Sequence, residues 1–260
     1  MNFLGVSNLS KSLKQLTQLL SHLRFAETSK ALPELITKAN QSNPSYAEFL
    51  NEVFSYENSR REEKAQDRRM KQAAFPYYRT LSEFDLTEQP SLSEKNFNRL
   101  KDLTWIEQTY NLILLGPSGV GKTFLSVGLG IKAVQEGFQV SFVTMGELVH
   151  LLKTADISRK SEVRLRRIKT SSLLILDDLM FMAMDKSEAN LFFHFINDIY
   201  EQTSIILTSN KSPKDWGQLL GDEVITGAIL DRIIRKSEII QLTGDSYRLR
   251  HREQLFEESQ

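Results

Sequence analysis

The sequence predicts an α/β chain: a mainly parallel five-stranded sheet flanked by helices, with a small all-helical domain ahead of it. Three observations predict this. Leucines recur at helical spacing before residue 75, short apolar runs alternate with helical stretches after residue 110, and a glycine-rich turn joins the first such run to a helix. The 33 basic and 33 acidic residues balance, so any surface for a polyanion must be local. There is no cysteine, which excludes disulfides and thiolate metal sites and fits a reducing compartment. No basic leader with a long apolar stretch opens the chain and no run of about 18 apolar residues occurs, so a cytoplasmic protein with no membrane partner is expected.

Residues 1–75 form the expected helical domain. Leu13, Leu16, Leu19, Leu20 and Leu23 make one stripe, and Leu32, Leu35 and Ile36 a second. A third follows the Asn43-Pro44-Ser45 turn through Tyr46, Phe49, Leu50, Val53 and Phe54. From Tyr56 to Lys71 charge dominates, with Glu57 four residues before Arg61. Two readings stay open for this stretch, a solvated face or a face turned to DNA or a partner through residues such as Arg68 and Arg69. Residues 76–92 carry two prolines and little periodicity and read as a connector. A helix over Ser93–Thr109 opens the third region, 93–260. Strands are expected at Leu112–Leu115, Val140–Val143, Leu173–Leu176, Ile205–Thr208 and Ile239–Leu242.

G-P-S-G-V-G-K-T, residues 116–123, fits GxxxxGK[ST] and lies between a strand and a helix, the context that gives the motif its meaning. Gly116, Pro117, Ser118, Gly119, Val120 and Gly121 would turn successive N–H groups toward phosphate oxygens, with Phe124 following in the helix. Lys122 would reach the terminal phosphates, and the Thr123 hydroxyl would ligate Mg²⁺. L-L-I-L-D-D supplies the second half of an ATP and Mg²⁺ site at the end of another strand: Asp177 to hold Mg²⁺, Asp178 to activate water. A helix N-cap is the alternative for that pair. The strand 205–208 leads to Thr208, Ser209 and Asn210; Asn210 is the candidate for sensing the terminal phosphate, against a turn asparagine. Arg232 and Arg235 lie three apart, and Arg232 suits either an arginine offered to a neighbouring subunit's nucleotide or a surface ion pair. The run 159–169 holds six basic residues and one acidic. Arg159, Lys160, Arg164, Arg167 and Lys169 are the candidates there for gripping DNA phosphates; a solvated face competes.

These motifs resemble the initiator and loader branch of the AAA+ ATPases, and within it the IstB-like transposition helpers, relatives of the DnaC loaders. The resemblance also covers L-L-S-H-L-R-F-A-E-T, A-A-F-P-Y-Y-R-T-L-S-E-F-D-L, F-V-T-M-G-E-L-V, Trp216 after I-L-T-S-N, and L-D-R-I-I-R-K-S-E-I-I-Q-L-T-G-D-S-Y-R-L-R. It implies a P-loop AAA+ core without a separate C-terminal lid. It further implies sequence-tolerant duplex DNA binding, homo-oligomers with ATP at subunit interfaces, and a partner transposase. By the same resemblance Lys122 and Thr123 serve nucleotide and Mg²⁺, Asp177 and Asp178 hydrolysis, Asn210 sensing and Arg232 the finger. Met180 departs from a usual glycine, which bears on hydrolysis, and Ile199 from a common arginine, which would remove a surface ion pair. A helicase loader and a nucleotide-bound DNA-bending scaffold remain alternative readings.

Overall fold

The computed structural model describes residues 3–179, 184–218 and 223–250. Met180 lies outside the described residues. The chain divides into two compact units, residues 1–68 and 69–260.

The first unit is helical. It contains α1 (Phe3–His22), α2 (Ala26–Ser42) and most of α3 (Tyr46–Ala73), whose run passes through the division. Ala31, Leu35 and Val53 form its core, with Phe49 and Tyr56 packed against them. Phe25, at the N-cap of α2, offers no side-chain cap. Glu57 takes that part: its carboxylate accepts the Thr28 N–H at 2.8 Å and the Arg61 Nε–H at 2.8 Å, with 3% of the side chain exposed. The expected i,i+4 pair of Glu57 and Arg61 is present, and its carboxylate is buried and also caps another helix.

In the second unit α4 (Glu94–Lys101) and α5 (Thr104–Glu107) replace the single helix expected over Ser93–Thr109. Leu103 breaks it by adopting a left-handed backbone (φ 57°) that buries its side chain. The β/α series follows in order. It runs β1 (Asn111–Leu115), α6 (Lys122–Gln135), β2 (Val140–Thr144), α7 (Met145–Thr154), α8 (Arg159–Lys169), β3 (Leu173–Asp177) and α9 (Lys186–Ile199). Then come β4 (Ser204–Ser209), α10 (Glu223–Ile234), β5 (Ser237–Gln241) and the short α11 (Tyr247–Arg250). All strand pairs are parallel, in the order β2-β3-β4-β1-β5.

Because side chains alternate across a strand, β1 to β4 each feed two cores. Ile113, Leu115, Leu174 and Leu176 meet residues of α7 to α10, whereas Leu112, Leu114, Leu173 and Ile175 meet α4 to α6. Ile199 belongs to the first core and is fully buried. The surface ion pair expected of an arginine there therefore does not suit the position. β5 is an edge strand: Glu238, Ile239 and Gln241 are exposed and only Ile240 is buried. Its pairing begins at Ser237, two residues before the apolar run that marked it in the sequence. Residues 76–92 form two single 3₁₀ turns, Leu81–Glu83 and Leu86–Glu88, and Leu81, Phe84 and Leu86 pack on the α4–α6 core.

Candidate nucleotide-binding site

β4 lies between β1 and β3, so the carboxyl ends of three neighbouring strands converge where open parallel sheets bind ligands. The turn after β1 begins at Gly116, whose N–H donates to the Ser209 carbonyl at 3.2 Å. Gly116 (φ 148°) and Gly119 (φ 85°) must be glycine for a second reason beyond backbone angle. A Cβ at the first would collide with the Leu242 carbonyl and at the second with Ser246. α6 then starts at Lys122, whose ammonium donates to the Gly116 and Pro117 carbonyls, each at 2.7 Å.

Thr123 in the first turn of α6 reaches β3. Its hydroxyl lies 3.0 and 3.2 Å from the two Asp177 oxygens. The Thr208 hydroxyl donates to the same carboxylate at 2.7 Å and accepts the Asp178 N–H at 2.8 Å. Burial raises the Asp177 pKa above the ordinary carboxylate value; the Thr208 and Thr123 hydroxyls offset part of that rise. Asp178 has a left-handed backbone (φ 58°).

These residues fit a nucleotide-bound Mg²⁺. A buried carboxylate gains from a cation, and a threonine hydroxyl that donates its proton to that carboxylate keeps lone pairs for the metal. Among the described residues no group of three or more His, Asp or Glu side chains could cage a metal ion. The ion would therefore take its remaining ligands from phosphate and water, the usual habit of Mg²⁺.

A cavity of about 640 Å³ adjoins the turn, lined by Gly119 to Phe124, by Tyr77, Arg79, Phe84 and Glu88 from the connecting segment, and by Asp245, Tyr247 and Arg250. This is ample for a small-molecule ligand. Two stretches far apart in sequence clasp the turn. The buried Gln89 donates to the Val120 carbonyl at 2.8 Å and accepts the Thr243 N–H at 3.3 Å; the Tyr247 N–H donates to the Gly119 carbonyl at 3.1 Å. Arg250 pairs with Glu88 at 2.6 Å. Phe124 meets Phe84 edge-on at 5.6 Å, and Arg79 lies over its ring at 5.7 Å. Sequence reasoning missed both stretches. For the first, the signal was the apolar content of 75–86, unusual in a free linker.

The other candidates do not line this cavity. Asn210 is exposed just beyond β4, where Trp216, fully buried, anchors the following segment by donating to the Lys211 carbonyl at 3.3 Å. Arg232 does not line the cavity. On α10 it donates to the Ala228 carbonyl at 2.8 Å and lies 5.1 Å over Phe193. Of the α8 cations, Arg159 and Lys160 are exposed and Arg167 is half-buried. Lys169 pairs with Asp198 at 2.6 Å. Arg164 corrects the reading as a DNA contact: it donates to the Phe142 and Gln72 carbonyls at 2.6 and 3.2 Å, and 14% of its side chain is exposed. Arg166, not singled out in the sequence, is exposed instead. In α3, Arg68 is exposed and Arg69 half-buried.

Comparison with known proteins bears on family and fold. The chain is 39% identical over 238 residues to a protein of Pseudomonas aeruginosa named for ATP binding and insertion sequence IS21, covering 92% of this chain and 90% of that one. It is 35% identical over 246 residues to an IS21-like counterpart from Bacteroides fragilis, covering 95% and 94%. Among solved structures, DnaI superposes with a TM-score of 0.53 at 23% identity, over 63% of this chain and 90% of that one. AMPPCP-bound DnaA from Aquifex aeolicus superposes with 0.50 at 23%, over 64% and 50%. Both show an AAA+ type of fold. The model of the family described as "IstB-like ATP binding protein" matches residues 18–255, and with the parallel sheet, the Gly116–Thr123 turn and the carboxylate pair in place, this chain belongs to that family.

Proposed function

We propose that the protein is an ATP-dependent, DNA-binding helper of transposition that oligomerises on duplex DNA and recruits or stimulates a transposase. The observation that carries this reading is the Thr123 hydroxyl held against Asp177, because it joins the phosphate-binding turn to the carboxylate strand in one Mg²⁺·ATP site. The N–H groups of Ser118–Gly121 bind the phosphates. Lys122 exchanges its two carbonyl partners for phosphate oxygens, a stronger charge-assisted contact. Thr123 and Asp177 would hold Mg²⁺ together with phosphate and water, and the ion, when bound, would supply positive charge against that developing on the phosphoryl group. Asp178 accepts a proton from the attacking water, and Asn210 orients that water or the terminal phosphate. Arg232 lies away from its own cavity and serves a neighbouring subunit's nucleotide, so ATP occupies subunit interfaces.

The exposed cations of α8 and α3, Arg159, Lys160, Arg166 and Arg68, with the half-buried Arg167, contact phosphates without reading sequence. A transposase as partner follows from the insertion-sequence names of the relatives. The 1–75, 76–92 and 93–260 division assigns DNA, partner or self-contact to the helices and ATP to the remainder.

The test is retention of duplex DNA in gel shifts with and without a non-hydrolysable ATP analogue. Retention is expected with the analogue and is lost in Lys122→Ala; equal retention in both conditions overturns the reading. Pull-down of a transposase but not of a replicative helicase is expected alongside.

A further inference from the structure

We infer that Thr208 is a positioning residue that sets both site carboxylates through one hydroxyl, an inference that rests on the Mg²⁺·ATP reading above. Its side chain is 1% exposed at the end of β4, and its two contacts leave no ambiguity of direction. The Asp178 N–H can only donate, so the Thr208 oxygen accepts there at 2.8 Å. The single hydroxyl proton is then free for Asp177 Oδ1 at 2.7 Å. Asp177 thus receives hydroxyl protons from both sides, from Thr123 on α6 and Thr208 on β4.

The second contact matters as much. Non-glycine residues adopt the left-handed region only occasionally, Asp among them, and Asp178 does so (φ 58°) with its N–H satisfied by Thr208. That turn ends the strand's alternation of side chains immediately after Asp177. The Thr208 carbonyl also accepts the Leu179 N–H at 3.0 Å. Residues 177–179 are therefore referenced, residue by residue, to one threonine. Asn210 was the polar residue singled out at this strand end, yet the hydroxyl two residues earlier is the one that touches the Asp177 carboxylate and the Asp178 N–H.

The test compares wild type with Thr208→Val, which keeps the shape and loses the hydroxyl, and Thr208→Ser, which keeps the hydroxyl. Thr208→Ala accompanies Val in case the isostere fails to fold. Three readouts are taken on the full chain: the Mg²⁺ concentration for half-maximal binding of a fluorescent ATP analogue, steady-state phosphate release, and amide exchange over 177–179 without nucleotide. In Val or Ala the Mg²⁺ half-point is expected to rise and turnover to fall, each by about 10–100-fold, as for other residues that orient metal ligands. The Asp178 amide should exchange faster and Mg²⁺-free nucleotide binding should hold, while Ser restores every value. Wild-type Mg²⁺ dependence in Val and Ala overturns the inference, and so does a Ser variant that fails as Val does. If wild type binds Mg²⁺·ATP and releases no phosphate, the hydrolysis reading fails by itself, and the Mg²⁺ and exchange readouts still decide the role of Thr208.

Discussion

A guanidinium bonded to two backbone carbonyls cannot reach a phosphate outside the protein without abandoning both. Arg164 is in that position, bonded to Phe142 and Gln72, and Arg166, two residues on, is not. Arg164→Ala is accordingly expected to destabilise the protein by about 2–3 kcal/mol, since hydrogen bonds from a charged donor are lost and carbonyls are left without it. Arg166→Ala should stay within about 0.5 kcal/mol and should weaken DNA retention. Urea unfolding and gel shifts on both variants check the pair. The sequence could not separate these arginines, because in a run with six cations the helical period gives a face but not which carbonyls lie beneath it. Lys122, Thr123, Asp177 and Asp178 were legible because phosphate and Mg²⁺ chemistry restricts which residue types can serve at fixed spacing. Thr208 was only one of three polar residues at a strand end.

Among the elements, α2 depends on a cap lent by α3. Glu57 accepts the Thr28 N–H and the Arg61 guanidinium. Burial works to raise its pKa, but these contacts prevail and hold it below the ordinary 4.5. A carboxylate depressed in the folded state contributes stability that is fully present above about pH 4.5 and lost as pH falls through the depressed value. Glu57→Ala should therefore cost about 2 kcal/mol at neutral pH, with the gap from wild type closing below pH 4.5; thermal unfolding by circular dichroism across that range measures it. The i,i+4 spacing of Glu57 and Arg61 was visible in the sequence, but the helix they serve was not, since capping in trans leaves no local pattern. In the second unit, Gln89→Leu removes the donor to Val120 and the acceptor for Thr243. The expected cost is about 2–3 kcal/mol with weaker ATP binding, read by melting and nucleotide titration. Residues 76–92 looked like a connector because prolines and 3₁₀ turns erase periodicity, although Phe84 and Leu86 were apolar for a reason.

For the whole molecule, the alternation of strands and helices announced a parallel sheet covered on both faces, and the two cores that share β1 to β4 are its result. Strand order was not legible: alternation states that neighbours are parallel, not that β4 separates β1 from β3. That order places Thr208 between the phosphate turn and the carboxylates, while α10 carries Arg232 away from the cavity. If the arginine completes a neighbour's site, Arg232→Ala and Lys122→Ala will each lack ATPase activity alone. Mixing them will restore part of it, because some interfaces then pair an intact turn with an intact arginine. Phosphate release from mixtures at fixed total protein checks this, and an absence of restoration argues for a site complete within one chain. The clasp around the Gly116–Gly121 turn carries a different consequence, one of timing. Its two halves, Gln89 and the Thr243–Arg250 stretch, lie more than 150 residues apart, and contacts so distant form late. A chain still on the ribosome can build β1 and α6 before the second half of the clasp has been made, so the nascent protein stays unable to grip ATP firmly until the Thr243–Arg250 stretch has emerged and docked.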